Sequence, residues 1–360
     1  MKKEKIIGLV FSLVLISLVI TQVVINYPGV NYYESNDYVM DVYVENDIAY
    51  LFRSESGLVI MDVSNPSKPS ELSRISTLNG NNLYVDGNYA FFTKNGKIKI
   101  IQVSDPSNPY LVNKSGFEIS DIDGMYIDFP LAYLIHSSEL SIVRMGPFFN
   151  FSEIGHIGLN CSLDDIQVDG SIAYIASYHG LKIIDLSNLT NPIELSQYTP
   201  DDYDDWYRRC LFKDDVIYVV GGWGVNKEYI DIIDVSNPSN PIKLGHYKDM
   251  YGYPEDLAIH DNILYVANLR GISLIDVSNP SKPVQFDQVK LTDASDLYIE
   301  YPIAYVGCSY SGFKIINISN PSSWDNIPII LNFIITMISL VYVAGIILFK
   351  LLIKNKEVKR

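Results

Sequence analysis

One ten-residue segment recurs along the chain and constrains its fold more than any other feature. It reads IMDVSNPSKP at Ile60–Pro69. Close copies lie at Ile100–Pro109, Ile183–Pro192, Ile232–Pro241 and Leu274–Pro283, with a weaker copy at Ile315–Trp324 and a degenerate one around Arg144. The residue after each apolar pair therefore recurs about every 41 residues, at Asp62, Gln102, Arg144, Asp185, Asp234, Asp276 and Asn317. Seven units of this period are typical of a propeller or a solenoid.

Each unit contains four short β-rich runs that are separated by turn residues. In the fourth unit these runs are DDIQVDG, SIAYIAS, LKIIDLS and IELSQYT. Four strands in about 40 residues predict one blade of a β-propeller. A small or apolar residue followed by an aromatic one marks the second strand of every unit: Ala49-Tyr50, Ala90-Phe91, Ala132-Tyr133, Ala173-Tyr174, Ile217-Tyr218, Leu264-Tyr265 and Ala304-Tyr305. The predicted fold is therefore all-β, a seven-bladed propeller with four strands per blade.

The recurring segment itself is predicted to be the end of a third strand and the turn after it. Asp or Asn at the recurring position can accept hydrogen bonds from nearby backbone N–H groups, and Ser-Asn-Pro favours a tight reversal. A catalytic or calcium-binding role for these residues is disfavoured, because each one belongs to a different blade.

The segments LVIMDVSNPSKP, LKIIDLSNLTNP and ISLIDVSNPSKP, each after an Ala-Tyr or Leu-Tyr strand, resemble the LVIVD repeat. The resemblance covers roughly residues 40–322, and the third unit departs most from the pattern. It implies a propeller of the kind found in bacterial and archaeal surface proteins. It implies no particular activity, since the family has no general one.

Closure of the ring is predicted to use the N-terminal end of the propeller. The seventh unit has only three strands before the chain reaches a second apolar run, and YPGVNYYESN at Tyr27–Asn36 resembles a fourth strand. We expect this segment to complete blade seven, which places both ends of the propeller on one face. The blade-to-blade connections and the loops between second and third strands then lie on the opposite face.

Two uncharged apolar runs, Ile6–Ile25 and Ile329–Phe349, are long enough to cross a bilayer as helices. A signal peptide is the alternative for the first run, but no small-residue cleavage site follows it. Lysines precede the first run and five basic residues follow the second, which predicts cytoplasmic termini. The expected organisation is a tail at 1–5, a membrane helix at 6–25, an external propeller at 27–326, a second membrane helix at 327–349 and a basic tail at 350–360.

Charge narrows the class of partner. The part between the tails has 19 basic and 40 acidic residues, which argues against nucleic acid and against anionic lipid surfaces. An acidic surface suits cations, basic proteins or solubility alone. The three cysteines, Cys161, Cys210 and Cys308, show no metal-binding spacing and are interpreted as small buried residues.

Two groups of residues are candidates for a site on the face opposite the chain ends. The first residues of the first strands should surround the channel mouth: Asp41, Asn82, Gly124, Asp165, Arg209, Asp256 and Asp296. The four Asp residues form a candidate Ca²⁺ site, unless each carboxylate instead accepts backbone N–H groups. No other cofactor is expected.

The second group lies in two insertions that lengthen the spacing between units four and five. They are TPDDYDDWYRR at Thr199–Arg209 and GGWGVNKE at Gly221–Glu228. Insertions on one face of a repeat array often mark a binding face, and exposed aromatic residues often anchor interfaces. The candidate binding residues are Asp201, Asp202, Tyr203, Asp204, Asp205, Trp206, Tyr207 and Trp223, although an ordinary surface loop is the alternative.

These observations lead to one main hypothesis and two alternatives. The main hypothesis is a membrane-anchored cell-surface propeller that binds a protein or a glycan outside the cell. The alternatives are a hydrolase-like surface enzyme with its site at the channel mouth and a structural envelope component. No nucleophile elbow, phosphate-binding loop, dinucleotide fingerprint or paired-histidine metal motif is present in the sequence, so the chain is predicted not to be an enzyme.

Overall fold

The four runs of each repeat form the four strands of one antiparallel sheet, and seven such sheets form the propeller. The computed structural model describes residues 30–33, 37–53, 56–76, 81–94, 96–112, 119, 122–146, 149–200, 206–222, 228–248 and 252–319. They belong to one compact unit, Val30–Ser319. Among these residues, no helix is long and apolar enough to cross a membrane. The predicted membrane helices at 6–25 and 327–349 lie outside the described residues.

The strands are numbered in chain order. The first, innermost strands of blades 1 to 7 are β2 (Val39–Glu45), β6 (Asn81–Asp86), β10 (Ile122–Asp128), β14 (Leu163–Asp169), β18 (Tyr207–Lys213), β22 (Pro254–His260) and β26 (Ala294–Glu300). The second strands are β3 (Ile48–Arg53), β7 (Tyr89–Lys94), β11 (Leu131–His136), β15 (Ile172–Ser177), β19 (Val216–Gly221), β23 (Ile263–Asn268) and β27 (Ile303–Cys308). Each first strand pairs with the second strand of its own blade.

The third strands are β4 (Gly57–Asp62), β8 (Lys97–Gln102), β12 (Glu139–Met145), β16 (Gly180–Asp185), β20 (Tyr229–Asp234), β24 (Gly271–Asp276) and β28 (Gly312–Asn317). The fourth, outermost strands of blades 1 to 6 are β5 (Ser70–Ile75), β9 (Tyr110–Leu111), β13 (Phe151–Gly158), β17 (Ile193–Tyr198), β21 (Ile242–Tyr247) and β25 (Val284–Lys290). Blade 7 takes its fourth strand from β1 (Val30–Tyr33).

The predicted closure by an N-terminal strand is confirmed. β1 pairs antiparallel with β28 in the register Val30 to Ile316 and Tyr33 to Phe313, so the start of β1 and the end of β28 lie side by side. We call the face on which these two ends lie the lower face. It also carries the hairpins between first and second strands and the recurring turns. The opposite, upper face carries the loops between second and third strands and the blade-to-blade connections.

The core lies between neighbouring sheets. Second and third strands are buried on both sides, as in β4, where Leu58, Val59, Ile60 and Met61 have no exposure. This explains why these strands are continuous apolar runs, whereas fourth strands are half exposed. The aromatic residues that mark second strands pack between blades, as the sequence suggested. Tyr174, for example, joins the cluster that contains Ile217 and Val219 of the next blade.

The recurring turn is a local device, as predicted. In five blades the Asp or Asn side chain accepts the backbone N–H of the serine two residues later, at 2.7–2.9 Å: Asp62, Asp185, Asp234, Asp276 and Asn317. A bond from the Ser64 hydroxyl lowers the pKa of Asp62, and the bond from the Ser64 backbone N–H adds to this. These carboxylates therefore shape turns and lie in separate sheets.

The recurring turn of one blade also contacts the fourth strand of the preceding blade. The Ser73 and Ser196 hydroxyls donate to the carbonyl oxygens of Pro106 and Pro238 in the next blade, at 2.5 and 2.6 Å. At Gly245, a Cβ atom would lie 1.7 Å from the Pro280 oxygen. In blades 1, 4 and 5 the fourth strand therefore has either a hydroxyl donor or no side chain at this point, which lets the neighbouring turn approach closely.

Candidate functional site

The ring around the channel mouth forms on the upper face, where a β-bulge interrupts every first strand. Pairing skips one residue between Val39 and Asp41, and comparable irregularities occur in the other six blades. A bulge redirects the residue that follows it. Because first strands have no pairing partner on the side facing the axis, their backbone N–H groups there need other acceptors.

The ring carboxylates are those acceptors, and each reaches into the next blade. Asp165 accepts the N–H of Cys210 at 2.9 Å, and Asp256 accepts the N–H of Leu297 at 2.9 Å. Asp41 accepts from Leu83. Asp296 accepts from Val42, which closes the circle between blades 7 and 1. The four Asp residues predicted for the mouth therefore link adjacent blades through backbone N–H groups.

Arg209 has the same ring position in blade 5, but its side chain donates a hydrogen bond to the next blade instead of accepting one. Its Nε donates to the Glu255 carbonyl oxygen of blade 6 at 2.8 Å. Burial acts to lower the pKa of Arg209, but Asp165 and Asp256 more than offset this, so that the pKa is raised. The positive guanidinium therefore lies among the ring carboxylates.

Burial dominates the protonation of the ring. It raises the pKa of Asp41 and of Asp165 to about 6, against the attraction of Arg209. Asp256 and Asp296 share a side-chain hydrogen bond, and burial together with mutual repulsion holds the pKa of Asp296 well above its usual range. Two carboxyl groups in this arrangement share a proton.

The predicted Ca²⁺ site remains a prediction. Among the described residues, no group of three or more His, Cys, Asp or Glu side chains is arranged to hold a metal ion. Each ring carboxylate already accepts a backbone N–H, which leaves fewer lone pairs directed at the axis.

The second predicted group is only partly described. Asp201, Asp202, Tyr203, Asp204, Asp205 and Trp223 lie outside the described residues. Trp206 is half-buried: its indole N–H donates to Asp164 of blade 4, and its ring meets that of Tyr178 edge-on, with 5.9 Å between the centroids. Trp206 thus packs on the neighbouring blade at the upper face.

Tyr207 was expected to be an exposed binding residue, but its side chain is fully buried. Its hydroxyl donates to Asp231 Oδ2 at 2.5 Å, which turns the ring into the interface between blades 4 and 5 rather than toward solvent. Tyr207 therefore cannot offer its ring to a partner. It is part of the interface between blades 4 and 5.

Asp231 is the centre of a buried polar cluster that sequence reasoning missed. Besides Tyr207, it contacts His246 Nδ1 at 2.6 Å and Lys243 Nζ at 3.0 Å. These three hydrogen bonds together lower the pKa of Asp231 although burial opposes them. Both residues of the His246–Asp231 pair lie on the outer half of blade 5, away from the channel. The second ring nitrogen of His246 is buried without a hydrogen-bond partner.

Exposed apolar side chains on the upper face were also missed. They are Tyr38 (40% exposed), Met40 (40%), Tyr178 (42%), Leu269 (44%) and Tyr310 (67%). Three of them share a sequence signal in the loop between second and third strands, an apolar or aromatic residue two positions before glycine: Tyr178-His179-Gly180, Leu269-Arg270-Gly271 and Tyr310-Ser311-Gly312. The predicted buried state of Cys161, Cys210 and Cys308 is confirmed, with all three thiols free.

Comparison with solved structures finds the same fold at low sequence identity. The extracellular domain of BT4673 from B. thetaiotaomicron is 11% identical, with a TM-score of 0.59, over 80% of this chain and 40% of that one. BamB from Moraxella catarrhalis is 11% identical, with a TM-score of 0.54, over 81% and 88% of the two chains. A protein from Lactobacillus plantarum is 10% identical, with a TM-score of 0.61, over 74% and 89%. These likenesses show the propeller fold alone.

No curated protein sequence matches the chain. The family model for the LVIVD repeat matches six segments: residues 37–77, 79–115, 162–200, 217–249, 251–290 and 293–325. Blade 3, the unit predicted to depart most from the pattern, falls in the gap between the second and third matches. The matched segments cover more than half of the chain, and the protein belongs to the LVIVD-repeat family.

Proposed function

We propose that this protein is a membrane-anchored, outward-facing propeller that binds an external protein or glycan through its upper face. The apolar runs at 6–25 and 329–349 and the basic tails beyond them support the anchor and its orientation. The propeller fold and the LVIVD repeats are compatible with a binding module.

The observation that carries the proposal is the set of exposed apolar side chains on the upper face. Tyr38, Met40, Tyr178, Leu269 and Tyr310 come from blades 1, 4, 6 and 7, yet all lie at the upper ends of their blades. Aromatic residues supply most of the binding energy in many interfaces. Grouped apolar side chains that remain exposed commonly mark an interaction site.

The upper face is also where neighbouring blades differ from one another. On the lower face the recurring turn holds similar residues and similar hydrogen bonds in most blades. The upper loops differ in length and residue type, and both insertions fall between strands that are joined at the upper face. Loops that do not build the scaffold are free to carry recognition residues.

Site-specific photo-crosslinking in intact cells tests the proposal on the full chain. A benzophenone amino acid would replace Tyr178 or Tyr310 on the upper face. Tyr110 and Phe286, which are at least as exposed as Tyr178 but lie on outer strands, serve as matched controls. We expect a discrete adduct from the upper-face positions and none from the controls. Equal adducts from all four positions, or none from any, would contradict the proposal.

The orientation has its own test. Protease added to intact cells should digest the propeller while a cytosolic marker survives. A propeller that becomes sensitive only after lysis would show that the predicted orientation is wrong, whichever ligand binds.

A further inference from the structure

The centre of the recurring turn has a different sequence in blade 4. It reads Asn188-Leu189-Thr190 there, whereas in blades 1, 5 and 6 it reads Asn-Pro-Ser, at residues 65–67, 237–239 and 279–281. Asn, then any residue except proline, then Ser or Thr is the acceptor triplet for N-linked glycans. Proline therefore excludes the turns of blades 1, 5 and 6 as acceptors, and leucine makes the turn of blade 4 an acceptor triplet.

The backbone of the turn has the same hydrogen bonds in these four blades. The Asn side-chain oxygen accepts the backbone N–H two residues later, at 3.2 Å in blades 1 and 4 and at 3.3 Å in blades 5 and 6. The Asn carbonyl oxygen accepts the N–H three residues later, at 2.8–2.9 Å in all four. Leu189 therefore occupies the backbone position that proline has in the other three turns.

The acceptor groups of the blade 4 triplet face solvent together. Asn188 and Thr190 are exposed, and the Thr190 hydroxyl donates to Asn188 Oδ1 at 2.8 Å. Leu189 is half-buried and packs against the core between blades 3 and 4. The leucine thus holds the turn against the propeller, which leaves the Asn amide and the Thr hydroxyl on the outer side, next to each other.

Four other acceptor triplets occur in the sequence, beginning at Asn113, Asn150, Asn160 and Asn317. Asn113 lies outside the described residues, and Asn317 is half-buried. Asn150 and Asn160 are exposed, but within the described part of the chain no hydrogen bond joins their side chains to the hydroxyl of their own triplet. The triplet of blade 4 therefore presents the amide and the hydroxyl most completely.

We propose that Asn188 is an N-glycosylation site whose donor is an oligosaccharide linked to a lipid pyrophosphate. The Asn188 Nδ2 atom forms a bond to the anomeric carbon of the sugar, and the bond from that carbon to the lipid pyrophosphate breaks. The amide loses one proton, which the released lipid pyrophosphate takes up. Transfer of this kind takes place outside the cytoplasm, so this inference rests on the outward orientation in the proposed function.

Peptide mass spectrometry of the full chain, purified from the membranes of the cells that naturally produce it, tests the proposal. We expect the peptide that contains Asn188 to carry a glycan in most molecules. The added mass should be lost in Asn188→Gln and in Thr190→Ala, whereas Thr190→Ser should retain it, because serine supplies the same hydroxyl group. An unmodified Asn188 in the parent chain would overturn the proposal.

Exchanging proline and leucine between blades separates the acceptor triplet from the fold of the turn. Leu189→Pro gives blade 4 the residue that three other blades have there, so the melting temperature should stay parental while the glycan is lost. Pro238→Leu gives blade 5 an acceptor triplet and should add a glycan at Asn237. A glycan that survives Leu189→Pro, or a Pro238→Leu chain of parental stability with no glycan at Asn237, would overturn the proposal.

The protease test of orientation distinguishes this proposal from the proposed function. If the propeller is digested in intact cells and Asn188 is unmodified, the outward-facing binding module stands and the glycosylation site is wrong. If the propeller becomes sensitive only after lysis, Asn188 is on the wrong side of the membrane for transfer, and both proposals fail. A glycan on Asn188 would support both.

Discussion

Replacing Asp41 by asparagine is predicted to stabilise the propeller at neutral pH. Asp41 accepts the N–H of Leu83 in blade 2, and an asparagine oxygen can accept the same bond. Blade 2 itself has asparagine, Asn82, at the equivalent ring position. The substitution therefore keeps the shape and the acceptor while it removes a charge that burial disfavours.

The sign and size of the effect follow from the raised pKa. The pKa of Asp41 is about 6 in the folded chain, against about 3.9 when unfolded. Between these values the folded state binds more protons, so the free energy of unfolding falls as pH rises from about 4 to about 6. A difference of roughly two pKa units corresponds to about 3 kcal/mol at most. Because the carboxylate is partly exposed at the mouth, we expect about 1–3 kcal/mol.

Urea unfolding of the full chain in detergent, at several pH values between 4 and 7.5, measures this difference. Asp41→Asn should match the parent near pH 4 and exceed it at pH 7.5. Asp86→Asn, at an exposed lower hairpin, serves as the control for charge removal in general. A variant that is less stable than the parent at pH 7.5, or a difference that does not change with pH, would refute the reasoning.

Four further changes test the contacts that hold the blades together. Gly245→Ala would bring a Cβ against the Pro280 carbonyl and should cost about 1–3 kcal/mol in urea unfolding; an unchanged midpoint would show that the blades separate easily. Asp231→Leu removes the acceptor for three donors and should cost about 3–5 kcal/mol by the same measurement. Deletion of residues 30–33 opens the edge of blade 7 and should cause aggregation in light scattering, and a deleted chain that stays monodisperse would refute the closure. Trp206→Ala loses a hydrogen bond and an aromatic contact and should lower stability by about 1–2 kcal/mol; a parental melting curve would mean that its packing on blade 4 contributes little.

The parts of the fold that sequence analysis predicted depend on short-range contacts repeated at a fixed period. The bond from Asp62 to the N–H of Ser64 spans two residues, and the same pair recurs in later blades. Repetition also revealed that blade seven lacked a strand, because six complete units showed what was missing. The position of β1 followed from this count.

The parts that could not be predicted join residues of neighbouring blades, which lie far apart in the sequence. Whether Asp165 binds calcium or the N–H of Cys210 depends on the orientation of a bulged strand, which residue types alone do not specify. The same holds for Gly245, whose role is visible only when the Pro280 carbonyl of the next blade lies beside it. To predict a contact between blades, the relative position of two sheets must be known. The sequence of a single repeat does not contain that information.

Tyr207 shows how this limit affected the candidate site. The sequence placed it in an acidic, aromatic insertion and predicted an exposed ring. It is instead the first residue of β18, where the bulge before Arg209 turns its side chain inward to Asp231. Among the described residues, the well-exposed rings of the upper face lie in short loops without insertions, such as the one that carries Tyr310.

The two faces of the propeller are under different physical constraints. The sequences of the blades therefore differ more on the upper face than on the lower face. Each lower turn fulfils two requirements at once, since it closes its own hairpin and contacts the preceding blade, as Pro106 does with Ser73. A substitution there disturbs two blades, which fits the similarity of this turn in most of the blades. An upper loop such as that of Tyr310 also contacts the next blade, through the Tyr38 ring, but both rings stay exposed and the ring carboxylates already link the blades beneath them. Residues on the upper face are therefore expected to change at less cost to the fold, and this is the face that we propose for binding a partner.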